Sequence, residues 1–287
     1  MKAPILTQAL EVGLTVAEDT TRNNEVLHVT DLAVTIGEGC PRQLWLRLRG
    51  ADKKSLTAGQ MLMFWHGKRI HEDLTELLKA GLPREWEIIG VEVPMEFDGI
   101  TGTADALIIN RDTGEKLVID YKTIRGRGFY FLPEDIAKPA HELQVQSYIY
   151  GLDKSTGFSA DGGLVLYVDR EGQNSFQQRY VPRNDEVVKE AITEAWLIRD
   201  AKEPPPILEP IVFEGKPTKT KGVPVTIKQP WMCDYCSYQD VTCHGALSYD
   251  HRVKNVIGHM VDGDFVPSNF IGEELQEKVS ELIAVPF

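Results

Sequence analysis

The stretch "TGTADALIINRDTGEKLVIDYKT", residues 101–123, decides how the chain is read. Two short apolar runs, Ala106 to Ile109 and Leu117 to Ile119, enclose a polar segment centred on Asp112, Thr113 and Gly114. Such runs on either side of a turn signal predict the two strands of a hairpin. Each strand carries an aspartate at the end away from the turn, Asp105 before the first run and Asp120 after the second. Pairing the strands brings the two carboxylates together. Lys122 lies two positions past Asp120 and so shares its face, because strand side chains have a period of two. Tyr121 points the other way and leaves its carbonyl oxygen free. Hard oxygen donors at close range suit Mg2+ or Mn2+. A metal there lowers the pKa of bound water and offsets charge growing on phosphorus, while the lysine holds or activates that water. The plain structural alternative is a surface Asp–Lys pair, worth less than about 1 kcal/mol.

Working outward, residues 56–80 read as a helix, with Leu62, Trp65, Ile70, Leu74, Leu77 and Leu78 at helical spacing and Gly81 as a stop. Strands are expected at 86–97, 102–109 and 116–122, then a helix over 139–152 that opens on proline. "GGLVLYVDR" and "SFQQRYVP" read as a further strand pair, and 184–201 as a helix. Thr30 and Asp31 are candidate helix caps, and residues 1–29 read as a β-rich or irregular lead-in. The segment 203–230 is rich in proline and reads as irregular; 271–284 reads as an amphipathic terminal helix. Helices interleaved with strands, one pair of them a hairpin, predict a mixed sheet with helices packed on it.

At 287 residues and 42% hydrophobic, the chain can bury a substantial core. No apolar run is long enough to span a bilayer and the first residues lack a signal-peptide pattern, so a soluble cytoplasmic protein without membrane partners is expected. The net charge of −12 argues against nucleic acid as a partner if taken alone. The charge is uneven, however. Residues 41–54 hold Arg42, Arg47, Arg49, Lys53 and Lys54 against Asp52, and residues 215–230 hold Lys216, Lys219, Lys221 and Lys228 with no acid.

Four cysteines are present: Cys40, then Cys233, Cys236 and Cys243. In a cytosolic chain a Cys-x-x-Cys pair binds metal or does redox work more often than it forms a disulfide. Spacing alone favours zinc, held by all four cysteines or by three of them and a histidine, with His244 available.

"GTAD", a strand, and "VIDYKT" together resemble motifs II and III of the PD-(D/E)XK nuclease superfamily, in particular its RecB-like and Cas4-like branch. Two further elements fall in the family's order: Gly67 and His71 in "GKRIHEDL" match its helical G-x-x-x-H, with His66 a rival for the histidine, and Gln144 and Tyr148 in "ELQVQSYIY" match its Q-x-x-x-Y. The resemblance covers roughly residues 30–245. Thr103-Ala104-Asp105 departs from the proline that the family's name promises, although Gly102 fits the G-x-x-D of RecB-like members.

The resemblance implies an α/β fold with a restriction-endonuclease-like core, a mixed central sheet flanked by helices, and a terminal lobe stapled by iron and sulfur. It implies a nuclease core over 30–202, a cluster segment over 203–250 and a tail over 251–287. It implies a metal-dependent nuclease that cuts single-stranded DNA from an end, with His71, Asp105, Asp120 and the Tyr121 carbonyl around the metal. Lys122 would position water, and Gln144 and Tyr148 would orient Lys122 or grip the strand. Cas4-like and AddB-like members hold a 4Fe-4S cluster with one cysteine before the core and three after it, the pattern of Cys40, Cys233, Cys236 and Cys243. Arg42, Arg125, Arg127, Lys219 and Lys221 would meet the phosphate backbone, and Phe129 and Tyr130 would stack on bases. A non-catalytic DNA-binding adaptor, and a subunit active only beside a helicase or a Cas1-like partner, are the other readings. No G-x-x-x-x-G-K-[ST] occurs, so any unwinding must come from another protein.

Overall fold

Asp98 and Gly99 both have positive φ (48° and 67°) and join two strands that pair from Phe97 with Ile100 onward. A two-residue Asp-Gly turn with both residues left-handed matches the twist of a hairpin, so the chain doubles back here with the least strain. That hairpin is the spine of the fold. The computed structural model describes residues 5–16, 23–172, 176–216, 223–239, 241–243, 255–261 and 264–268. In chain order the elements are α1 (Ile5–Val16), β1 (Leu27–His28), a 3-10 helix (Val29–Ile36), α2 (Pro41–Leu48), α3 (Ala58–Gly81), β2 (Trp86–Phe97) and β3 (Ile100–Asn110). They continue as β4 (Lys116–Ile124), α4 (Gly126–Tyr130), α5 (Pro139–Thr156), β5 (Gly162–Asp169), β6 (Phe176–Pro182) and α6 (Asp185–Asp200). The last are β7 (Ile211–Glu214), β8 (Val223–Lys228), α7 (Trp231–Asp234), β9 (Asn255–Val261) and β10 (Asp264–Pro267). No described helix is long and apolar enough to cross a membrane.

The chain forms two compact units, Met1–Gly39 with Leu56–Ala201, and Cys40–Ser55 with Lys202–Phe287. The first holds a mixed sheet in the order β1-β3-β4-β5-β6, with β2 also paired to β3. β2, β3 and β4 run antiparallel, β4 and β5 parallel, and β5 and β6 antiparallel. The site depends on how β3 is paired. Along one edge it pairs with β4 only from Ala106 to Ile109, and with β1 only at Ile100 and Thr101. Between those contacts its main chain parts from β4, and a fork opens at residue 105.

Helix α3 covers one face of this sheet. Thr57 caps it: the Gln60 N–H donates to the Thr57 hydroxyl at 3.3 Å, and the Thr57 N–H donates to Gln60 Oε1 at 2.9 Å. Ile70, Leu74 and Leu78, one turn apart, pack on Ala106, Ile108, Leu117, Ile119 and Tyr121. Helical spacing predicts that Leu62, Trp65 and Leu77 share this face, but all three are exposed. The apolar line that meets the sheet is the narrower one, and the first half of α3 projects its apolar residues into solvent. Helix α5 starts with proline at its first turn and stops at Gly157 in a left-handed conformation (φ 72°). It buries Val145, Ile149 and Leu152, and Gly151 lets the Phe97 ring approach so closely that a Cβ would lie 2.3 Å from it.

The lead-in, expected to be β-rich or irregular, contains helix α1 and a two-residue strand. Asp31 acts at a helix start, but at a 3-10 turn, where its carboxylate accepts the His28 N–H at 2.7 Å. The second unit corrects a further expectation. Residues 203–230 are not irregular throughout: β7 and β8 join β9 and β10 in an antiparallel sheet ordered β10-β9-β8-β7. Val225, Ile227, Val256 and Phe265 form its core, with Val212 and Met260 against them. The helix expected over 271–284 lies outside the described residues.

Candidate active site

Where β3 and β4 part, Tyr121 has no register partner on β3, and its N–H donates to Asp105 Oδ2 at 2.6 Å. The carboxylate thus fills the fork that the diverging main chains open, and its second oxygen, Oδ1, lies 3.4 Å from His71 Nδ1 on α3. His71 also packs edge-on against the Tyr121 ring. Burial works to lower the His71 pKa, but the hydrogen bond and charge of Asp105 outweigh it and hold it above the ordinary value. Thr75, one turn along α3, donates to the Tyr121 hydroxyl at 3.3 Å.

The other face of β4 carries the second half of the site. Asp120 is only 1% exposed. Lys122 Nζ donates to Asp120 Oδ1 at 3.1 Å and to Gln144 Oε1 at 2.9 Å. Gln144 Nε2 in turn donates to the Tyr148 hydroxyl oxygen at 2.6 Å. Gln144 and Tyr148 are one turn apart on α5, so the helix holds the lysine from behind. Asp120 Oδ2 lies 3.0 Å from Lys122 Nζ, yet it is buried with no hydrogen bond of sound geometry. Burial pushes the Asp120 carboxyl up to about 6, the Lys122 charge opposing and Asp105 adding to the rise. A buried carboxylate with an orphaned oxygen, beside a second carboxylate, is a donor set suited to a divalent cation. Tyr148 is buried, and burial first and then the Asp120 charge keep its phenol neutral.

His71, Asp105, Asp120, Tyr121, Lys122, Gln144 and Tyr148 therefore meet at the fork. The rival His66 is exposed and lines a groove instead. That groove, of about 570 Å3, runs between the first half of α3 and the end of β4, with Arg69, Thr123, Arg125, Arg170 and Glu171 also in its walls. A second groove lies beside Gly102, Thr103 and Tyr148. Arg127 is exposed on α4. Phe129 is buried at 3% and cannot stack on a base, whereas Tyr130 and Phe131 are 72% and 74% exposed. The exposed aromatic next to Tyr130 is therefore Phe131, which sequence reasoning passed over.

In the second unit, Cys40, Cys233, Cys236 and Cys243 line one small apolar cavity. All four thiols are free, and among the described residues no three ligand side chains stand close enough to form a closed metal cage. Burial, then the charges of Cys40, Cys236 and Cys243, push the Cys233 thiol up to about 12. Burial and neighbouring cysteines hold the Cys236 and Cys243 thiols up as well, and a cation would let such thiols ionise together, so the donor set is of the type that holds a thiolate-bound metal group. Arg42 was expected at a DNA backbone, but it lines this cavity, donates Nη1 to the Pro205 carbonyl at 2.8 Å and bonds Cys243, with a buried Nε lacking a partner. Its charge serves the thiols. Lys219, Lys221 and His244 lie outside the described residues.

A mixed sheet that forks at two aspartates and a lysine, braced by a helical Gln and Tyr, defines a nuclease of restriction-endonuclease-like fold. The sequence model of the PD-(D/E)XK nuclease superfamily matches residues 36–244. The chain belongs to that superfamily, whose members generally use divalent metals such as Mg2+ or Mn2+. Among solved structures it is similar to the protein described as SSO0001, with 20% identity, a TM-score of 0.49, and 84% of this chain and 96% of that chain covered. It is also similar to the alkaline exonuclease LHK-Exo from Laribacter hongkongensis (14% identity, TM-score 0.41, 61% and 86% covered). A phage-related exonuclease from Haemophilus somnus 129PT shows 16% identity and a TM-score of 0.41, with 61% and 93% covered. No curated protein matches the chain.

Proposed function

We propose that the chain is a metal-dependent deoxyribonuclease of Cas4/RecB type that cuts single-stranded DNA from an end. The observation that carries this reading is Asp120, a buried carboxylate with one oxygen that makes no hydrogen bond, paired with a Lys122 that Gln144 anchors. Asp105, Asp120, His71 and the Tyr121 carbonyl would hold Mg2+ or Mn2+. When bound, that cation supplies an activated water and neutralises charge on the phosphate. Lys122 orients the water and donates toward the scissile phosphate. Gln144 and Tyr148 are positioning residues that fix the ammonium.

The arginine-bearing groove next to Thr123 offers a path for the backbone of a single strand, with exposed Trp65 and Phe131 as stacking platforms. Cys40, Cys233, Cys236 and Cys243 would hold a 4Fe-4S cluster that fixes the second unit.

End-labelled single-stranded DNA, incubated with anaerobically purified protein and Mn2+ or Mg2+ beside Lys122→Ala, tests the activity. Metal-dependent shortening by the wild type alone is expected. DNA bound but uncut with every divalent metal would instead support a non-catalytic adaptor.

Two variants probe the supporting residues. Tyr148→Phe leaves Gln144 Nε2 without its acceptor, which costs about 1–2 kcal/mol at a buried site and so roughly tenfold in kcat. Mn2+ affinity should not change; single-turnover rates and calorimetry read the two separately. Arg125→Glu reverses one charge on the groove. It should weaken binding of oligothymidylate and flatten its dependence on salt by about one unit of the log–log slope, with Mn2+ binding unaltered.

A further inference from the structure

We propose that His141 is a substrate-binding residue: a neutral imidazole, locked by Tyr167, whose Nε2–H donates to a phosphate oxygen of the strand beside Lys122. The inference rests on the nuclease reading above and adds a residue to its site. Tyr167 on β5 is the register partner of Lys122 on β4, and partners in a parallel pair present their side chains on one face of the sheet. The Tyr167 side chain is wholly buried and reaches the start of α5. Its hydroxyl oxygen accepts the Lys138 N–H at 3.0 Å and lies 2.9 Å from His141 Nδ1. A buried O–H is seldom left unpaired, and the acceptor for this one is the lone pair of Nδ1. That assignment puts the imidazole's own proton on Nε2.

His141 is half-buried and stands one turn before Gln144, the residue that holds Lys122 from α5. Among the described residues Nε2 has no hydrogen-bond partner, and it is not one of their buried unpaired atoms, so it is open to a ligand. Burial, then the Lys122 and Lys138 charges, push the His141 pKa down to about 3, which keeps the ring neutral at physiological pH. A neutral N–H beside two cations suits an anion, and it adds no charge to compete with the Lys122 ammonium. β4 separates Tyr167 on β5 from Asp105 on β3, so the contact falls on the side of Lys122 away from Asp105. The phosphate met there is a neighbour of the scissile one. Its charge does not change during the reaction, so the contact acts on KM rather than on kcat.

The test is cleavage of oligothymidylate by the full-length, anaerobically purified protein with Mn2+, with KM and kcat read separately. His141→Asn keeps an acceptor at the Nδ1 position for Tyr167 and removes the donor at Nε2. His141→Gln does the reverse. We expect His141→Asn to raise KM about tenfold with kcat within about twofold of wild type, and His141→Gln to stay close to wild type. A purely structural tie to Tyr167 predicts the opposite ranking. One uncharged methylphosphonate linkage, moved through the positions next to the cut, should at one of them raise KM for wild type about tenfold and leave His141→Asn unaffected. The reverse ranking, a loss confined to kcat, or methylphosphonate effects equal in the two proteins at every position overturns the proposal, and the nuclease reading stands because wild type cuts. Wild type that cuts no DNA with Mn2+ or Mg2+ overturns both.

Discussion

Asp120→Asn should abolish cleavage and at the same time raise the melting temperature of the metal-free protein at neutral pH. The two effects have one cause. Asp120 is almost wholly buried, and its carboxyl is pushed from 3.8 up to about 6, burial outweighing the help of Lys122. A group whose folded pKa is raised contributes stability that is fully present below its unfolded value and lost as pH rises through the folded value. Metal-free wild type should therefore be most favoured below about pH 4 and should weaken as pH climbs through about 6. At about 1.4 kcal/mol per unit, the rise amounts to roughly 3 kcal/mol, or several degrees. Asparagine keeps the shape without the charge, and Lys122 retains Gln144 as its acceptor and is partly solvated. Mn2+ reverses the ranking. It stabilises wild type by mass action, more at pH 7 than at pH 5, and does little for the variant. Loss of Asp120 as the metal ligand proposed above would remove several kcal/mol of transition-state stabilisation, so the rate should fall on the order of a thousandfold or more. Thermal melts across pH with and without Mn2+, beside single-turnover cleavage, read both halves. A variant that cuts at the wild-type rate, or melts below wild type without metal, would sink this account of Asp120.

The fork was legible because its parts obey short rules. Asp120 and Lys122 share a face by the period of two, and Gln144 and Tyr148 share one by the helical turn, so their convergence follows from local geometry. What sequence could not carry was register. Tyr167 looks like any aromatic residue in a strand until pairing sets it opposite Lys122. Leu62 and Trp65 follow helical spacing as well as Leu74 does, but spacing does not say how much of a long helix has sheet beneath it. The second sheet escaped notice for a related reason. β7 has four residues and β8 contains Pro224, so neither shows a strand pattern alone; β8 forms by pairing with distant β9, and β7 by pairing with β8. Arg42 stands beside basic neighbours in sequence and beside thiols in space.

The unit that holds the thiols should depend on them for its stability. Its described core is small: Val225, Ile227, Val256 and Phe265 within the sheet, Leu44 and Leu46 on α2, and Tyr238. It is also assembled from distant pieces, Cys40–Ser55 and Lys202–Phe287, so folding must close a loop through the whole of the other unit. In a cross-link model, tying Cys40 to Cys233 removes on the order of 5 kcal/mol of that entropy from the unfolded chain. Hydrogen bonds also join the pieces: the Lys54 N–H donates to the Ser237 carbonyl at 2.8 Å, the Thr242 hydroxyl donates to the Asp52 carbonyl, and Arg42 reaches Pro205. Each is worth about 1 kcal/mol. If those thiols hold the cluster proposed above, Cys40→Ala should cost it and most of that entropy together. Iron and labile sulfide should fall toward zero in anaerobically purified protein, and limited proteolysis should open sites around residues 40–55 and 202–239 that wild type protects. Restored pairing by a second cysteine nearby is not available, since Cys40, Cys233, Cys236 and Cys243 are the only ones in the chain. Zinc in place of iron in wild type would keep the staple and discard the cluster. Wild-type metal content and protease resistance in Cys40→Ala would mean that the cavity lined by four thiols holds nothing the fold needs.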